Sequence, residues 1–176
     1  IYEWLCDQEN VFVRALLTTE DQLQGVKEIR PEYIISCGYR HIVPEKILAV
    51  PDRGCLNLHP AYLPYNRGAN PNVWSIVEGT PAGVTLHWMD AGLDTGDIIE
   101  RRKKKTDFSD NGKDLYEALE DAQVNLFRDV WPDIVAGEVE ITKQDEEAGT
   151  YHSTSDFEEL CKLDPDEEVR VKDFLD

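Results

Sequence analysis

Asn57, His59 and Asp94 are the residues of this chain whose chemistries fit together. Asn57 and His59 lie in Asn57-Leu58-His59-Pro60-Ala61-Tyr62-Leu63-Pro64, and Asp94 lies in Met89-Asp90-Ala91-Gly92-Leu93-Asp94-Thr95-Gly96-Asp97-Ile98. A carboxamide N–H can hold a developing oxyanion, an imidazole can donate or move a proton, and a carboxylate can set the charge of the imidazole. Together they suit acyl transfer. Each also has an ordinary explanation. A histidine between Leu58 and Pro60 can be a satisfied structural residue. Asp94, flanked by Gly92 and Gly96, can cap turn amides. Asp97 fits that capping role better because a strand begins at Ile98, and Asp90 could serve either way.

Other polar residues are less pointed. His87, beside Trp88 on a strand, reads as packing or surface. His41 follows Arg40 in a loop at a strand end, where it could face a ligand. The spacing of His59, His87 and Asp94 matches no common zinc pattern. The four cysteines, Cys6, Cys37, Cys55 and Cys161, form no Cys-x-x-Cys pair. They read as reduced, mostly buried thiols of a cytoplasmic protein, and no metal is expected. Tyr65-Asn66-Arg67-Gly68 has the residue types of a recognition loop, or of a turn whose Arg67 pairs with a carboxylate. No Gly-rich phosphate loop is present.

The elements that must position these groups follow from periodicity. Ile1, Trp4 and Leu5 share a helix face. Val11 to Leu17 reads as a strand, and Asp21 to Ile29 as an amphipathic helix with Leu23, Val26 and Ile29 at helical spacing, ended by Pro31. Tyr33 to Cys37 is apolar throughout, as parallel strands covered on both faces tend to be. Glu45 to Ala49 is a brief helical turn. Cys55 to His59 reads as a strand, and a period of two puts Asn57 and His59 on one face of it. A helix is predicted over 71–77, with Pro71 in its first turn, then strands over 83–89 and 98–105. A long helix over 114–136 stops at Gly137. Phe157, Leu160, Cys161 and Leu163 suggest a short packing segment, and residues 166–176 a helix. Alternating strands and helices predict a three-layer α/β fold with a mostly parallel sheet. Ligands of such sheets bind beyond the carboxyl ends of the strands. The 38–44 loop, the Asn57/His59 strand end and the loop after Met89 should therefore converge.

The chain has 176 residues and a formal net charge of -18, from 36 Asp and Glu against 18 Lys and Arg. That length fits one domain, or one domain and part of a second. The average field repels a polyanion such as tRNA, so no nucleic-acid partner is expected. The basic run Arg101-Arg102-Lys103-Lys104-Lys105 reads as a solvated edge strand guarded against pairing. No stretch of apolar residues is long enough to cross a membrane, and no leader is visible.

Taken jointly, Asn-x-His-Pro-x-x-Leu-Pro from Asn57, Arg67-Gly68-x-x-Pro71, Gly83-Val84-Thr85 and Met89-Asp90-x-Gly92-Leu93-Asp94-Thr95-Gly96-Asp97 resemble the catalytic domain of the folate-dependent formyltransferases. The resemblance implies a Rossmann-like formyltransferase fold with Asn57, His59 and Asp94 as the catalytic residues. It also implies a 10-formyltetrahydrofolate donor, with the pterin near Arg40, His41, Ile42 and Val43 and the turn carrying Asp90 and Leu93 on its other side. Tyr65, Asn66, Arg67, Asn70 and Trp74, with Gly38-Tyr39-Arg40-His41-Ile42, are similar to the sugar N-formyltransferases, which implies an acceptor that is a nucleotide-linked amino-deoxy sugar held by those residues.

By the same resemblance, residues 1–140 form a catalytic domain lacking its first strand. Residues 141–176 form an acidic linker and the start of a C-terminal segment, through which sugar-formylating members often dimerise as homodimers. Four alternatives stand beside this reading. Methionyl-tRNA formyltransferase would need a basic C-terminal domain. Formyltetrahydrofolate hydrolase shares the three residues but would need an added regulatory domain. A non-catalytic folate-binding domain would have no chemical need of them. The glycinamide ribonucleotide branch resembles Leu-Asp-Gly-Gly rather than Leu-Asp-Thr-Gly.

Overall fold

The computed structural model of the chain describes residues 1–106, 111–162 and 168. Among these, the strands in chain order are β1 (Tyr33–Cys37), β2 (Gly54–His59), β3 (Arg67–Gly68), β4 (Gly83–Trp88), β5 (Ile98–Lys103) and β6 (Tyr151–His152). The helices are α1 (Tyr2–Cys6), α2 (Val26–Ile29), α3 (Glu45–Leu48), α4 (Pro71–Val77), α5 (Gly112–Ala136) and α6 (Thr154–Leu160). Strands β1, β2, β4 and β5 form the central sheet in that order, and β3 pairs with β6 separately.

The period-two alternation of β2 and β4 divides the central sheet into an apolar and a polar face. Leu56 and Leu58 of β2 and Val84 and Leu86 of β4 join Leu115, Leu119, Leu126 and Phe127 of α5 in the main core. All eight are essentially sealed from solvent, and each fully buried side chain of this size contributes about 1.5–3 kcal/mol. α5 is therefore the anchor of that face, and Leu5 of α1 packs into the same cluster. Asn111 starts α5 with a reciprocal capping box to Asp114, and Gly137 ends it in the left-handed conformation at φ 76. On the opposite face, Leu23, Val26, Val43 and Ile47 form a second cluster against Ile34 and Met89. The alternating residues Asn57, His59, Thr85 and His87 belong to this opposite side of the sheet.

The α/β, Rossmann-like class holds, with a mixed sheet: β1 and β2 are parallel, while β2–β4 and β4–β5 are antiparallel. β1 stands at an edge of the described sheet and is half-buried rather than covered on both faces. Residues 11–17 form no strand; Val11 and Val13 pack on the main core and Leu17 on the second cluster, without ladder pairing. The 21–29 helix is tighter than expected at its start, a 3-10 turn over Asp21–Gly25 leading into α2. Only Cys55 of the four cysteines is buried; Cys6, Cys37 and Cys161 are exposed. α6 carries no fully buried residue; Phe157 is half-buried while Leu160 and Cys161 are exposed, so of the expected 157–161 packing segment only Phe157 is partly covered. Leu163 and the helix expected over 166–176 lie outside the described residues, apart from position 168. Among the described residues, no helix is long and apolar enough to cross a membrane.

Candidate active site

Two short strands bring the polar patch together. β2 and β4 run antiparallel, with Asn57 opposite His87 and His59 opposite Thr85. Directly opposed residues project to the same face, so the two period-two pairs become neighbours. Thr85 holds the turn that follows His59: its Oγ1 donates to the Ala61 carbonyl at 2.7 Å and accepts from Leu63 N–H at 3.1 Å.

Asp94 comes to this patch from the 90–97 turn. Because β4 is antiparallel, that turn leaves beside the middle of β2, with Trp88 opposite Leu56, rather than beyond its carboxyl end as a parallel strand would. It must fold back, and Asp94 does so in the left-handed conformation at φ 56. Three features hold it there. Asp90 Oδ1 accepts from Gly92 N–H at 3.0 Å and from Thr95 Oγ1–H at 2.7 Å, so Asp90 and not Asp97 caps the turn. A Cβ on Gly96 would collide with the Trp88 carbonyl. Gln144 Nε2 donates to the carbonyls of Asp94 at 2.9 Å and Gly96 at 2.6 Å.

The Asp94 carboxylate, 11% exposed, is where the site converges. Its Oδ1 accepts from Asn57 Nδ2–H at 3.2 Å and its Oδ2 from Gly68 N–H at 3.0 Å. His59 Nδ1 lies 3.6 Å from Oδ2, and His87 Nε2 lies 3.7 Å from Oδ1. The other ring nitrogen of His59 donates to the Asn66 carbonyl at 3.0 Å. His59 Nε2 therefore carries a hydrogen, and Nδ1 faces the Asp94 carboxylate from beyond hydrogen-bond distance.

His87 is different. Its Nδ1 stands 2.8 Å from the Trp88 carbonyl, which can only accept, so Nδ1 carries a hydrogen. Burial pushes this imidazole below its ordinary 6.5, and the neighbouring His59 adds to that. Asp94, the Trp88 carbonyl and Asp90 pull the other way without prevailing. A neutral ring with hydrogen on Nδ1 has its lone pair on Nε2, 3.2 Å from Asn57 Nδ2. The Asn57 amide nitrogen therefore directs one hydrogen to His87 and the other to Asp94. From the sequence His87 reads as packing or surface; it is buried, and it also sits beside Asn57 and Asp94 in this cluster. The signal was its spacing from Thr85, the same period of two that links Asn57 to His59. Its meaning depended on the β2–β4 register.

The remaining sequence-predicted residues are distributed around the patch. Cys37, the last residue of β1, pairs beside Leu58, so the 38–44 loop leaves from the His59 end of β2. On it Arg40 and His41 are exposed, Ile42 is 75% exposed, and Val43 turns into the second cluster. Leu93, 44% exposed, sits beside Asp94 in its turn. Tyr65 lines a cavity of about 260 Å³ with Arg101, Gln144 and neighbours. Asn66 is sealed in: Nδ2 donates to Thr80 Oγ1 at 2.8 Å and Oδ1 accepts from Thr150 Oγ1–H at 3.1 Å. Arg67 is half-buried in β3 opposite Tyr151. Asn70 is left-handed at the start of α4, and buried Trp74 stacks on His152 with ring centroids 3.8 Å apart. Residues 142–152 run back over the site loops through Thr142, Gln144, Thr150 and β6. Among the described residues, no group of three or more His, Cys, Asp or Glu is arranged to hold a metal ion.

Residues 4–131 match the model of the formyl transferase family. The methionyl-tRNA formyltransferase of Caldanaerobacter subterraneus subsp. tengcongensis is 36% identical over 130 residues, 73% of this chain and 42% of that protein. A 4-N formyltransferase from Francisella tularensis superposes with a TM-score of 0.81 at 30% identity, over 90% of this chain and 64% of that one. The formyltransferase PseJ from Anoxybacillus kamchatkensis, solved with UDP-4,6-dideoxy-4-formamido-L-AltNAc and tetrahydrofolate, superposes with a TM-score of 0.70 at 40% identity, over 77% and 71% of the two chains. The chain thus spans about 42% of the length of the curated relatives it matches.

Proposed function

The chain belongs to the formyl transferase family, and from that premise we propose that it transfers a formyl group from 10-formyltetrahydrofolate to the amine of a nucleotide-linked amino-deoxy sugar. The observation that carries the chemistry is the meeting of Asn57, His59 and Asp94, with Asp94 3.2 Å from the amide nitrogen and 3.6 Å from the imidazole. The neutral acceptor amine attacks the formyl carbon, and negative charge grows on the formyl oxygen. Asn57 N–H and protonated His59 stabilise that oxygen. Asp94 takes the surplus proton from the attacking nitrogen, directly or through water. As it does so, its hold on the Asn57 N–H weakens, which releases that hydrogen toward the oxyanion. The carbon–nitrogen bond to the folate then breaks, the leaving nitrogen takes up a proton relayed from the site, and a formamide results.

For the donor, the exposed Ile42 and Leu93 offer apolar surface to a flat ring on the two loops beside the site, and tetrahydrofolate is bound in the PseJ structure. For the acceptor, the formamido-sugar nucleotide in that structure and the net charge of -18 support a sugar over tRNA. The 36% identity to a methionyl-tRNA formyltransferase favours the second reading. The test is release of tetrahydrofolate by the full-length protein with a dTDP- or UDP-amino sugar, and with Met-tRNA. Turnover with the sugar is expected, and Asn57→Ala should keep the fold and lower it by about a hundredfold or more. Turnover with Met-tRNA alone would select the second reading. Turnover with neither acceptor would overturn both.

A further inference from the structure

We propose that His87 is a positioning residue: its neutral Nε2 accepts a hydrogen from the Asn57 amide and so keeps the nitrogen edge of that amide turned into the reaction site. The inference rests on the formyl-transfer reading only for its kinetic arm. The chain of constraints is closed. The Trp88 carbonyl, 2.8 Å from Nδ1, can only accept, so the hydrogen of the neutral ring is on Nδ1. Nε2 is then an acceptor 3.2 Å from Asn57 Nδ2. Asp94 Oδ1, also acceptor-only, lies 3.2 Å from the same nitrogen. Two acceptors on one side leave the amide a single favourable orientation. With the amide flipped, its oxygen would confront a carboxylate and an imidazole lone pair.

Burial of His87 at 2% exposure makes this a fixed setting. The charged forms of Asp94, His59 and Asp90 are the groups that act on the ring, and the fold keeps it neutral among them. A protonated His87 would present Nε2–H to the Asn57 N–H edge, and donor would oppose donor. Position 87 therefore demands an acceptor that does not readily take a proton, a requirement that apolar packing does not impose.

Three measurements on the full-length protein test this. The ring-nitrogen NMR shifts of His87 at neutral pH should show Nδ1 protonated and Nε2 bare; hydrogen on Nε2 would overturn the inference whatever the turnover. His87→Leu, which keeps bulk and removes the acceptor, should lower kcat about tenfold to a hundredfold, as a misplaced catalytic group does, with KM for the folate donor changed less than threefold. His87→Gln, whose Oε1 can accept, should stay within about threefold of wild type. Equal loss in the Leu and Gln variants, or a wild-type kcat in His87→Leu, would sink the positioning role. Melting temperatures of both variants identify any loss caused by unfolding. If the wild-type protein transfers no formyl group, the proposed function fails, and the NMR arm still decides the state of His87.

Discussion

Asp94 is drawn upon from several sides at once, by the Asn57 amide, the Gly68 N–H and two imidazoles. Pairing and hydrogen bonding are what make a nearly buried carboxylate tolerable. The neighbouring His87 has the opposite character, a titratable group that burial keeps uncharged. Its consequence for stability has a definite sign. The folded-state pKa lies below the unfolded 6.5, so between the two values the unfolded chain binds more protons. The contribution of His87 is full above 6.5 and is lost as pH falls from there toward the folded value. Thermal melts from pH 7.5 to 5 should show wild type losing melting temperature more steeply than His87→Gln. Parallel curves would mean that His87 does not stay neutral in the fold.

At the scale of elements, the site depends on pairs of short segments that each fix the other. β3 and β6 have two residues apiece, yet Gly68 both pairs with His152 and donates its N–H to Asp94. Gly68 stands at φ 89, and a Cβ there would strike the His152 carbonyl. Gly68→Ala should therefore push β6 away, draw the N–H off Asp94 and cost about 1–3 kcal/mol, read by denaturant unfolding together with a fall in turnover. Stability and turnover both at wild-type values would uncouple β3–β6 from the site. The stack of Trp74 on His152 and the approach of His152 Nε2 to within 3.0 Å of a Glu78 carboxylate oxygen lie at the same junction on the other side. Several residues with the look of a recognition loop, Asn66 and Trp74 among them, thus carry structural contacts.

For the molecule as a whole, the dominant quantity is charge. An excess of 18 acidic groups repels itself across the surface, and salt screens exposed charges beyond about 8 Å at 0.15 M. Described ion pairs such as Arg102–Asp129 and Lys113–Glu117 are well exposed, and such pairs are worth little. Screening should relieve more repulsion than attraction. The melting temperature is expected to rise as NaCl increases from 20 to about 500 mM; a flat or falling response would show that the acidic surface does not strain the fold.

Local pattern determined much on its own. β1 has the bounds its apolar run prescribes, α4 starts at Pro71, and α5 ends at Gly137. A strand period of two put Asn57 and His59 on one face, because alternation is a property of a single strand. Pairing is not such a property. The antiparallel β2–β4 register set His87 beside Asn57 and reversed the direction from which the Asp94 turn arrives, and residues 11–17 pack on the core without a ladder. Gln144 reached the Asp94 turn from fifty residues away in sequence. Hydrogen bonds between segments distant in sequence, and the burial that holds His87 neutral, exist only once the chain has closed on itself, and so the tertiary structure alone decided them.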